Sequence, residues 1–248
     1  MKRFLAVQHS FSEFFGALEP QWEARDIGFT YVRTVAGQDV AGTPSQFDAL
    51  WLLGAAHPVA DRGLCPWVDD EIRLVRAFER ARRPVVGLGD GALVLAAAHG
   101  AALHAEPEHD ARFAQASALV GDDPVALAVD GRRVLVMAHG RAELPADAEA
   151  GIRPIVADEE GRWIAFRAGE LSYGLLVRPE LKPGMLEDMV MEDERTVPDD
   201  FGALIEEARA DWGTLQETSA RVVAALVSAL GLMDERRKMP VFRLQERA

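Results

Sequence analysis

The sequence predicts an α/β protein with a three-layer, doubly wound, mostly parallel sheet and added antiparallel strands. Up to about residue 100, short apolar runs alternate with amphipathic stretches, as strands and helices do in a parallel sheet. Residues 84–96 then read as a buried strand, a turn with glycine at every second position, and a small apolar helix. A turn of this kind points its apex, here Gly89, into a cleft at the carboxyl edge of a parallel sheet.

Periodicity and turn residues predict the elements of the first half. Strands are predicted at residues 4–9, 29–35, 47–53 and just before Gly87. Helices are predicted at residues 18–26, 67–82 and 92–98. The helix at 67–82 has the clearest pattern, because apolar residues recur at helical spacing with charges on the opposite side.

The pattern changes after residue 100, where short strand-like pieces are separated by glycines. Antiparallel strands that extend or flank the sheet are predicted at residues 125–129, 133–137, 152–157, 163–167 and 173–177. A short helix follows at 183–189, then an acidic, solvated segment at 187–200. A long helix is predicted at 201–232, with a break near Gly213. One domain is therefore predicted over 1–233, with a basic tail at 234–248.

Composition narrows the classes of partner and site. A net charge of −13 argues against nucleic acid and anionic membranes as partners, because both require clustered Lys and Arg. The single cysteine, Cys65, excludes an intrachain disulfide and a multi-cysteine metal site. The sequence contains no apolar run of membrane-spanning length and its first residues predict a strand rather than a signal peptide, so a cytoplasmic protein is expected. No cofactor is predicted.

The order of four short segments resembles the class I glutamine amidotransferase domain, of the sort found in GMP synthase. The segments are residues 51–57 (WLLGAAH), 87–91 (GLGDG), 138–141 (AHGR) and 174–180 (GLLVRPE). The resemblance covers residues 4 to about 230 and implies a flavodoxin-like fold. It also implies a catalytic triad made by a cysteine at the elbow and by a histidine and a glutamate in the last segment.

The residues at these triad positions depart from the family pattern. The cysteine position is Gly89, the histidine position is Arg178, and the glutamate position is Glu180. Glycine has no nucleophile, and arginine stays protonated near neutral pH and cannot act as a base. Cys65 lies in the loop before the helix at 67–82, not at the elbow. We therefore expect no covalent hydrolysis of glutamine.

The resemblance also predicts which residues line a ligand-binding cleft. They are Gly54 and Ala55 at the end of the third strand, His57, Asp90, His139 and Arg178. Arg178 and Glu180 lie two residues apart on an extended chain, so Arg178 either pairs with Glu180 or binds an anionic ligand. Gly89 either leaves room for a ligand or is only what remains after loss of activity.

The six histidines indicate a metal site only weakly. His57 and His139, with Glu180 or Asp90, are a possible metal set, but their spacing is not that of a metal motif and no metal is predicted. His9, after the first strand, is expected at the same rim. His99, His104 and His109 are expected at a helix end and in a solvated loop.

Two classes of function follow from the resemblance and its departures. The first is a binding, regulatory or structural subunit of a biosynthetic complex, either attached to a synthetase or self-associated. A homodimer could form if the acidic segment 187–200 met the basic tail 236–247 of a second copy. The second is a repurposed enzyme that acts without a covalent intermediate on a small anionic or amide-containing metabolite, with Glu180 as base or Arg178 as an anion clamp.

Overall fold

A computed structural model describes residues 2–40, 42–106, 109–145, 151–193 and 197–233. The predicted basic tail at 234–248 lies outside the described residues. No helix in the described part of the chain is long and apolar enough to cross a membrane.

An eight-stranded sheet forms the centre of the protein and confirms the predicted fold class. Its strands are β1 (Lys2–His9), β2 (Ile27–Arg33), β3 (Ala49–Ala55), β4 (Val85–Leu88), β7 (Ser117–Ala118), β10 (Ile152–Ala157), β11 (Trp163–Ala168) and β12 (Ser172–Leu175). They lie in the order β2-β1-β3-β4-β12-β11-β10-β7. The five strands from β2 to β12 are parallel to their neighbours, and the last three pair antiparallel.

Four further strands form two small antiparallel pairs outside this sheet. They are β5 (Ala102–His104) with β9 (Arg141–Glu143), and β6 (Asp110–Gln115) with β8 (Arg133–Ala138). The helices are α1 (Glu19–Glu23), α2 (Val68–Arg80), α3 (Asp90–Ala98), α4 (Pro124–Val129), α5 (Pro183–Asp193), α6 (Phe201–Ala210) and α7 (Trp212–Ala229). Separate apolar clusters pack against the central sheet, one built around Phe4, Trp22 and Trp51 and another around Leu5, Leu52 and Phe78.

The strand predicted at 125–129 is wrong, since this segment is helix α4. Asp123 precedes the helix, and its Oδ1 atom accepts hydrogen bonds from the backbone N–H groups of Val125 (2.9 Å) and Ala126 (3.2 Å). Pro124 follows in the first turn, where the missing N–H of proline costs nothing. A short apolar run by itself does not distinguish a strand from a buried helix, and here the Asp-Pro pair was the signal that decided it.

The acidic segment at 187–200 was predicted to be a solvated linker, and this is wrong for its first part. Helix α5 extends to Asp193 and buries Met189. The carboxylate of Glu192 accepts hydrogen bonds from the hydroxyls of Ser10 and Ser12, both at 2.6 Å. It also accepts from the backbone N–H groups of Phe11 and Ser12. Burial opposes ionisation of Glu192, but these hydrogen bonds outweigh it and lower its pKa. Helix α5 thereby holds the loop that follows β1.

The long helix predicted at 201–232 is two helices, α6 and α7, that meet at Asp211. The break therefore lies close to Gly213, where it was predicted. Arg133 of β8 forms ion pairs with Glu207 of α6 and with Asp211, which fixes the two helices against the second strand pair.

Candidate functional site

The carboxyl ends of β1, β3, β4 and β12 meet at the glycine turn. Gly89 has φ +55° and ψ −122°, a conformation that side chains rarely adopt. Its N–H donates to the carbonyl of Leu175 at 2.8 Å, which ties the turn to β12. The strand, turn and helix α3 therefore have the geometry of a nucleophile elbow with no side chain at its apex.

The two outer glycines of the turn are required by close packing. A Cβ atom on Gly91 would lie 2.2 Å from the carbonyl oxygen of Leu52, and one on Gly87 would lie 2.4 Å from the carbonyl oxygen of Gly91. Both contacts are with backbone, which cannot move aside as a side chain can. The spacing of glycines at 87 and 91 is thus a requirement for seating α3 directly against β3 and β4.

The guanidinium of Arg178 occupies the space that a side chain on Gly89 would need. A Cβ atom on Gly89 would lie 2.7 Å from Nη1 of Arg178 and 3.1 Å from the carbonyl oxygen of Met137. The Nη1 group itself donates to that carbonyl at 3.4 Å. The structure therefore fills the nucleophile position with the residue that stands in place of the family's histidine.

Arg178 lies between two buried carboxylates. Its Nε group donates to Oε1 of Glu180 at 2.6 Å, and its Nη2 group donates to Oε2 of Glu13. All three side chains are at most 2% exposed. The Glu13 carboxylate lies against Gly54, since a Cβ atom there would be 2.4 Å from Oε1. Glu13 therefore covers the end of β3 at Gly54.

Glu13 is the residue of this site that the sequence reasoning missed. It lies in the loop after β1, in the run of residues 10–15 (SFSEFF). The phenylalanines of that run were the available signal, because Phe15 packs among the aromatic rings of the core and brings the loop inward. Because the loop is anchored in this way, the Glu13 side chain lies against the sheet and is shielded from solvent.

Glu13, Arg178 and Glu180 form a buried charged triad, and their surroundings shift the pKa values of Glu13 and Arg178. Burial raises the pKa of Glu13 to about 7, and the charges of Glu180 and Asp90 add to that effect while Arg178 opposes it. Burial disfavours the charged form of Arg178, but Glu13 and Glu180 outweigh it and raise its pKa. The guanidinium is therefore charged at every accessible pH, and Glu13 is the member of the triad that takes up a proton near neutrality.

Asp90, directly after the elbow, connects three elements. Its Oδ1 atom accepts from the backbone N–H of His139 at 2.8 Å, and its Oδ2 atom accepts from the backbone N–H of Ala55 at 3.2 Å. Burial would raise its pKa, but interactions with His139 and His109 outweigh burial and lower it to about 2. Asp90 thus holds the ends of β3 and β8 against the start of α3 as an ionised carboxylate.

His109 does not lie in a solvated loop as predicted. It is 4% exposed, and the centroid of its ring is 3.3 Å from that of His139, which is fully buried. The chain around β6 folds back over β8, so a residue far from the elbow in sequence reaches it in space. The remaining space here, bordered by Glu13, His109 and Glu192, is about 10 Å³, enough for about one water molecule.

A larger cavity of about 340 Å³ opens beside the elbow, at the ends of β1 and β3. His9 borders it, stacked on Trp67 with ring centroids 4.0 Å apart. The Nε2 atom of His9 is 2.5 Å from Oε1 of Glu71, and its Nδ1 atom faces the carbonyl oxygens of Leu53 and Gly54. Burial would lower the pKa of His9, but Glu71 and these carbonyls outweigh it and raise the pKa, and both ring nitrogens are engaged. Burial also raises the pKa of Glu71.

The predicted cleft residues divide between these two spaces. Gly54, Asp90, His139 and Arg178 surround the elbow, with Gly89 and Glu180. Ala55 and His57 border the larger cavity. That these residues bind a ligand stays a prediction.

Cys65 borders the same larger cavity, but its chemistry does not replace the missing thiol. It is 1% exposed, and its Sγ atom faces the carbonyl of His57 at 3.7 Å. Burial raises the pKa of its thiol to about 12, and Asp90 and Asp61 add to the effect. The thiolate, which is the nucleophilic form, is therefore a negligible fraction near neutral pH.

Comparison with known proteins confirms the resemblance and the fold. The glutamine amidotransferase-like protein YfeJ of Salmonella typhimurium is 26% identical over 208 residues, 79% of this chain and 83% of that protein. No protein-family model matches the chain. A glutamine amidotransferase of Methylobacillus flagellatus has a TM-score of 0.78 at 16% identity, over 98% of this chain and all of that one.

Two further solved structures extend the fold comparison. A glutamine amidotransferase of Thermotoga maritima has a TM-score of 0.74 at 18% identity, over 91% of this chain and 98% of that one. A GMP synthase subunit of Thermoplasma acidophilum has a TM-score of 0.55 at 13% identity, over 95% of this chain and 98% of that one. At these identities the solved structures establish the fold alone.

Proposed function

Because this chain resembles the glutamine amidotransferase-like proteins in sequence and fold, we propose that it does not hydrolyse glutamine and that it serves as a binding, regulatory or structural subunit of a biosynthetic enzyme. The observation that carries the proposal is the position of Arg178. Its guanidinium fills the space of the missing nucleophile, and two buried carboxylates hold it there. An amide substrate would need the same space.

The surrounding groups support the loss of the chemistry. The Glu13 carboxylate lies over Gly54, where the family places an oxyanion that needs hydrogen-bond donors. A carboxylate there repels a developing negative charge. Glu180 is committed to Arg178 and has no histidine to orient. The nucleophile and the base are therefore missing, the space of the nucleophile is filled by Arg178, and an acidic group lies where the family places the oxyanion.

We expect purified protein to release no glutamate from glutamine above the buffer rate, and the Gly89→Cys variant to behave likewise. The new Cβ atom would overlap the Arg178 guanidinium, so this variant should also be less stable than wild type. In the double variant Gly89→Cys with Arg178→His, the guanidinium is gone and we expect the new thiol to react with iodoacetamide. A coupled assay that detects glutamate measures the hydrolysis of glutamine. Mass spectrometry of the alkylated protein measures the reaction of the new thiol with iodoacetamide.

Gly89→Ser is the matched control, since it adds the same bulk without a thiol. It should lose as much stability as Gly89→Cys and remain unlabelled. Glutamate release by the wild-type protein at a rate proportional to its concentration would refute the proposal.

The subunit role rests on the family and on the surface of α5 and α6. The GMP synthase subunit from Thermoplasma acidophilum is, by its name, part of a larger enzyme, and it shares this fold. An apolar depression of about 470 Å³ lies between α5 and α6, beside Met191, which is 86% exposed. Such a surface is typical of contact with another protein. A homodimer is the simplest such assembly, and a monomer mass by light scattering at micromolar concentration would exclude it.

A second candidate, a repurposed binding or catalytic site, is supported by the cavity of about 340 Å³. That volume suits a small metabolite. Its border includes Glu192, whose pKa is lowered, and His9, whose Nε2 atom is paired with Glu71 and offers no free charge to an anion. We therefore favour a neutral amide-containing compound over the anionic one that the sequence left equally open.

The cavity predicts saturable binding that can be removed by filling it. We expect glutamine or a related neutral amide to quench Trp67 fluorescence, and Ala56→Phe to abolish the quenching without unfolding the protein. Leu127→Phe, an enlargement at a half-exposed position on α4, is the control and should change nothing. Equal quenching in Ala56→Phe and wild type would exclude this cavity as the binding site.

A further inference from the structure

Three ionisable side chains meet in the interior beside the elbow and are not explained by the proposed function. They are Asp90 at the start of α3, His109 before β6, and His139 after β8. One potential ligand atom from each lies within 4.8 Å of the other two. All three residues are buried, at 0%, 4% and 0% exposure. They come from three separate elements, so the fold and not a local motif brings them together.

Three imidazole nitrogens of this cluster lack a hydrogen-bond partner among the described residues. Neither Nδ1 nor Nε2 of His139 has a hydrogen-bond partner among the described residues, and nor does Nδ1 of His109. A buried polar nitrogen without a hydrogen-bond partner destabilises the folded state, because its desolvation is not compensated. Three such atoms in one place are costly unless something satisfies them. A neutral imidazole has a single lone pair, so a cation bound by one nitrogen of each ring satisfies one nitrogen of His109 and one of His139. The closeness of the two rings leaves little room for a chain of water molecules.

The charge around the cluster favours a cation. The two oxygens of the Asp90 carboxyl group each accept a single backbone hydrogen bond, which leaves lone pairs for a metal. Acidic side chains also outnumber basic ones nearby, because Glu13 and Glu180 flank the one guanidinium of Arg178.

We propose that Asp90, His109 and His139 form a binding site for one divalent transition-metal ion of the Zn²⁺ type. Two imidazoles and one carboxylate suit Zn²⁺ or Co²⁺, whereas Mg²⁺ and Ca²⁺ prefer oxygen ligands. Tetrahedral ligation at 2.0–2.1 Å sets ligand atoms roughly 3.4 Å apart, so the three atoms need only a small closure. The space of about 10 Å³ beside His109 has room for a water molecule as a fourth ligand.

The test is metal binding by tag-free, full-length protein after treatment with a chelator. Isothermal titration with Zn²⁺ and the visible absorption of bound Co²⁺ should both show one ion per chain. Mg²⁺ should not compete at comparable concentration. Thermal unfolding of the wild type should shift upward with Zn²⁺, because an ion that binds only the folded state stabilises it.

Substitution of the histidines separates this site from surface binding. We expect His109→Ala and His139→Ala each to weaken Zn²⁺ affinity at least ~100-fold. Loss of a residue that only hydrogen-bonds to a metal ligand already weakens metal affinity by about 10–100-fold, and loss of a ligand should weaken it by at least as much. His99→Ala, which removes a histidine at the end of α3 that pairs with Glu79 and lies outside the cluster, should bind as wild type does. Far-ultraviolet circular dichroism of each metal-free variant checks that it is folded. If an alanine variant does not fold, His109→Gln replaces it in the binding experiment.

Absence of Zn²⁺ and Co²⁺ binding by the wild type would overturn the proposal. So would binding that is unchanged in both folded histidine variants. Neither result would bear on glutamine hydrolysis, which is measured separately.

Discussion

Replacing Arg178 by Met should destabilise the protein by about 3–5 kcal/mol at pH 7, because it leaves two buried carboxylates facing each other without a counter-charge. The side chains of Glu13 and Glu180 are 2% and 1% exposed, so water cannot screen them. For a chain of this size such a loss lowers the melting temperature by roughly 10 °C. Urea unfolding followed by circular dichroism measures it.

The pH dependence of the Arg178→Met variant distinguishes unpaired charge from lost packing. Without the guanidinium, which lowers it, the folded-state pKa of Glu13 rises further above its unfolded value, since burial already raises it to about 7 in the wild type. A group whose pKa is raised on folding favours the folded state below that pKa and loses this stabilisation as the pH rises through it. The difference in stability between variant and wild type should therefore shrink as the pH falls from 7 to 5.

Glu13→Gln is the matched control for this prediction. It leaves Arg178 paired with Glu180 and removes a carboxyl that is already partly protonated near neutrality. We expect a loss of about 1 kcal/mol, the usual contribution of one hydrogen bond. A loss in Arg178→Met no greater than in Glu13→Gln, or one independent of pH, would contradict the triad described above.

Replacing Gly91 by Ala should destabilise the protein by about 3 kcal/mol or more, the upper part of the range for overpacked cores. Gly91 lies in the first turn of α3, where alanine is normally better than glycine by about 1 kcal/mol. Here the added Cβ atom would lie 2.2 Å from the carbonyl oxygen of Leu52, so α3 must move away from β3. Chemical denaturation measures the change.

Gly202→Ala in α6 is the control, and its effect should have the opposite sign. A Cβ atom on Gly202 meets nothing within 4 Å, so only the helix propensity changes and stability should rise by up to about 1 kcal/mol. If Gly91→Ala were as stable as Gly202→Ala, the close seating of α3 on the sheet would be wrong. The pair also shows why a glycine spacing typical of a nucleophile elbow persists without a nucleophile.

The sequence predicted the central sheet well because periodicity is a local property. Strands such as β3, and helix α2 with its apolar face, are visible in a window of a few residues. The prediction was wrong where a local signal is ambiguous. The apolar run of α4 is too short to distinguish helix from strand. The helix predicted at 183–189 was found, but the acidic residues that follow hid its extension to Asp193.

The candidate site was predicted less completely than the fold. Gly89, Arg178 and Glu180 were found because they lie in segments whose order resembles a known family. Glu13 and His109 were missed because each lies in a loop with no motif around it. Glu13 reaches Arg178 across 165 positions of sequence, so no pattern in either loop reports their contact.

The sequence by itself determined the order of the elements and the identity of the residues at the elbow, including the glycine where a nucleophile is expected. Only the tertiary structure decided what fills the space above that glycine. Arg178, Glu13 and the histidines beside Asp90 come from loops at the ends of different strands. Their charges interact strongly because folding removes them together from water, and that exclusion is a property of the packed molecule rather than of any segment.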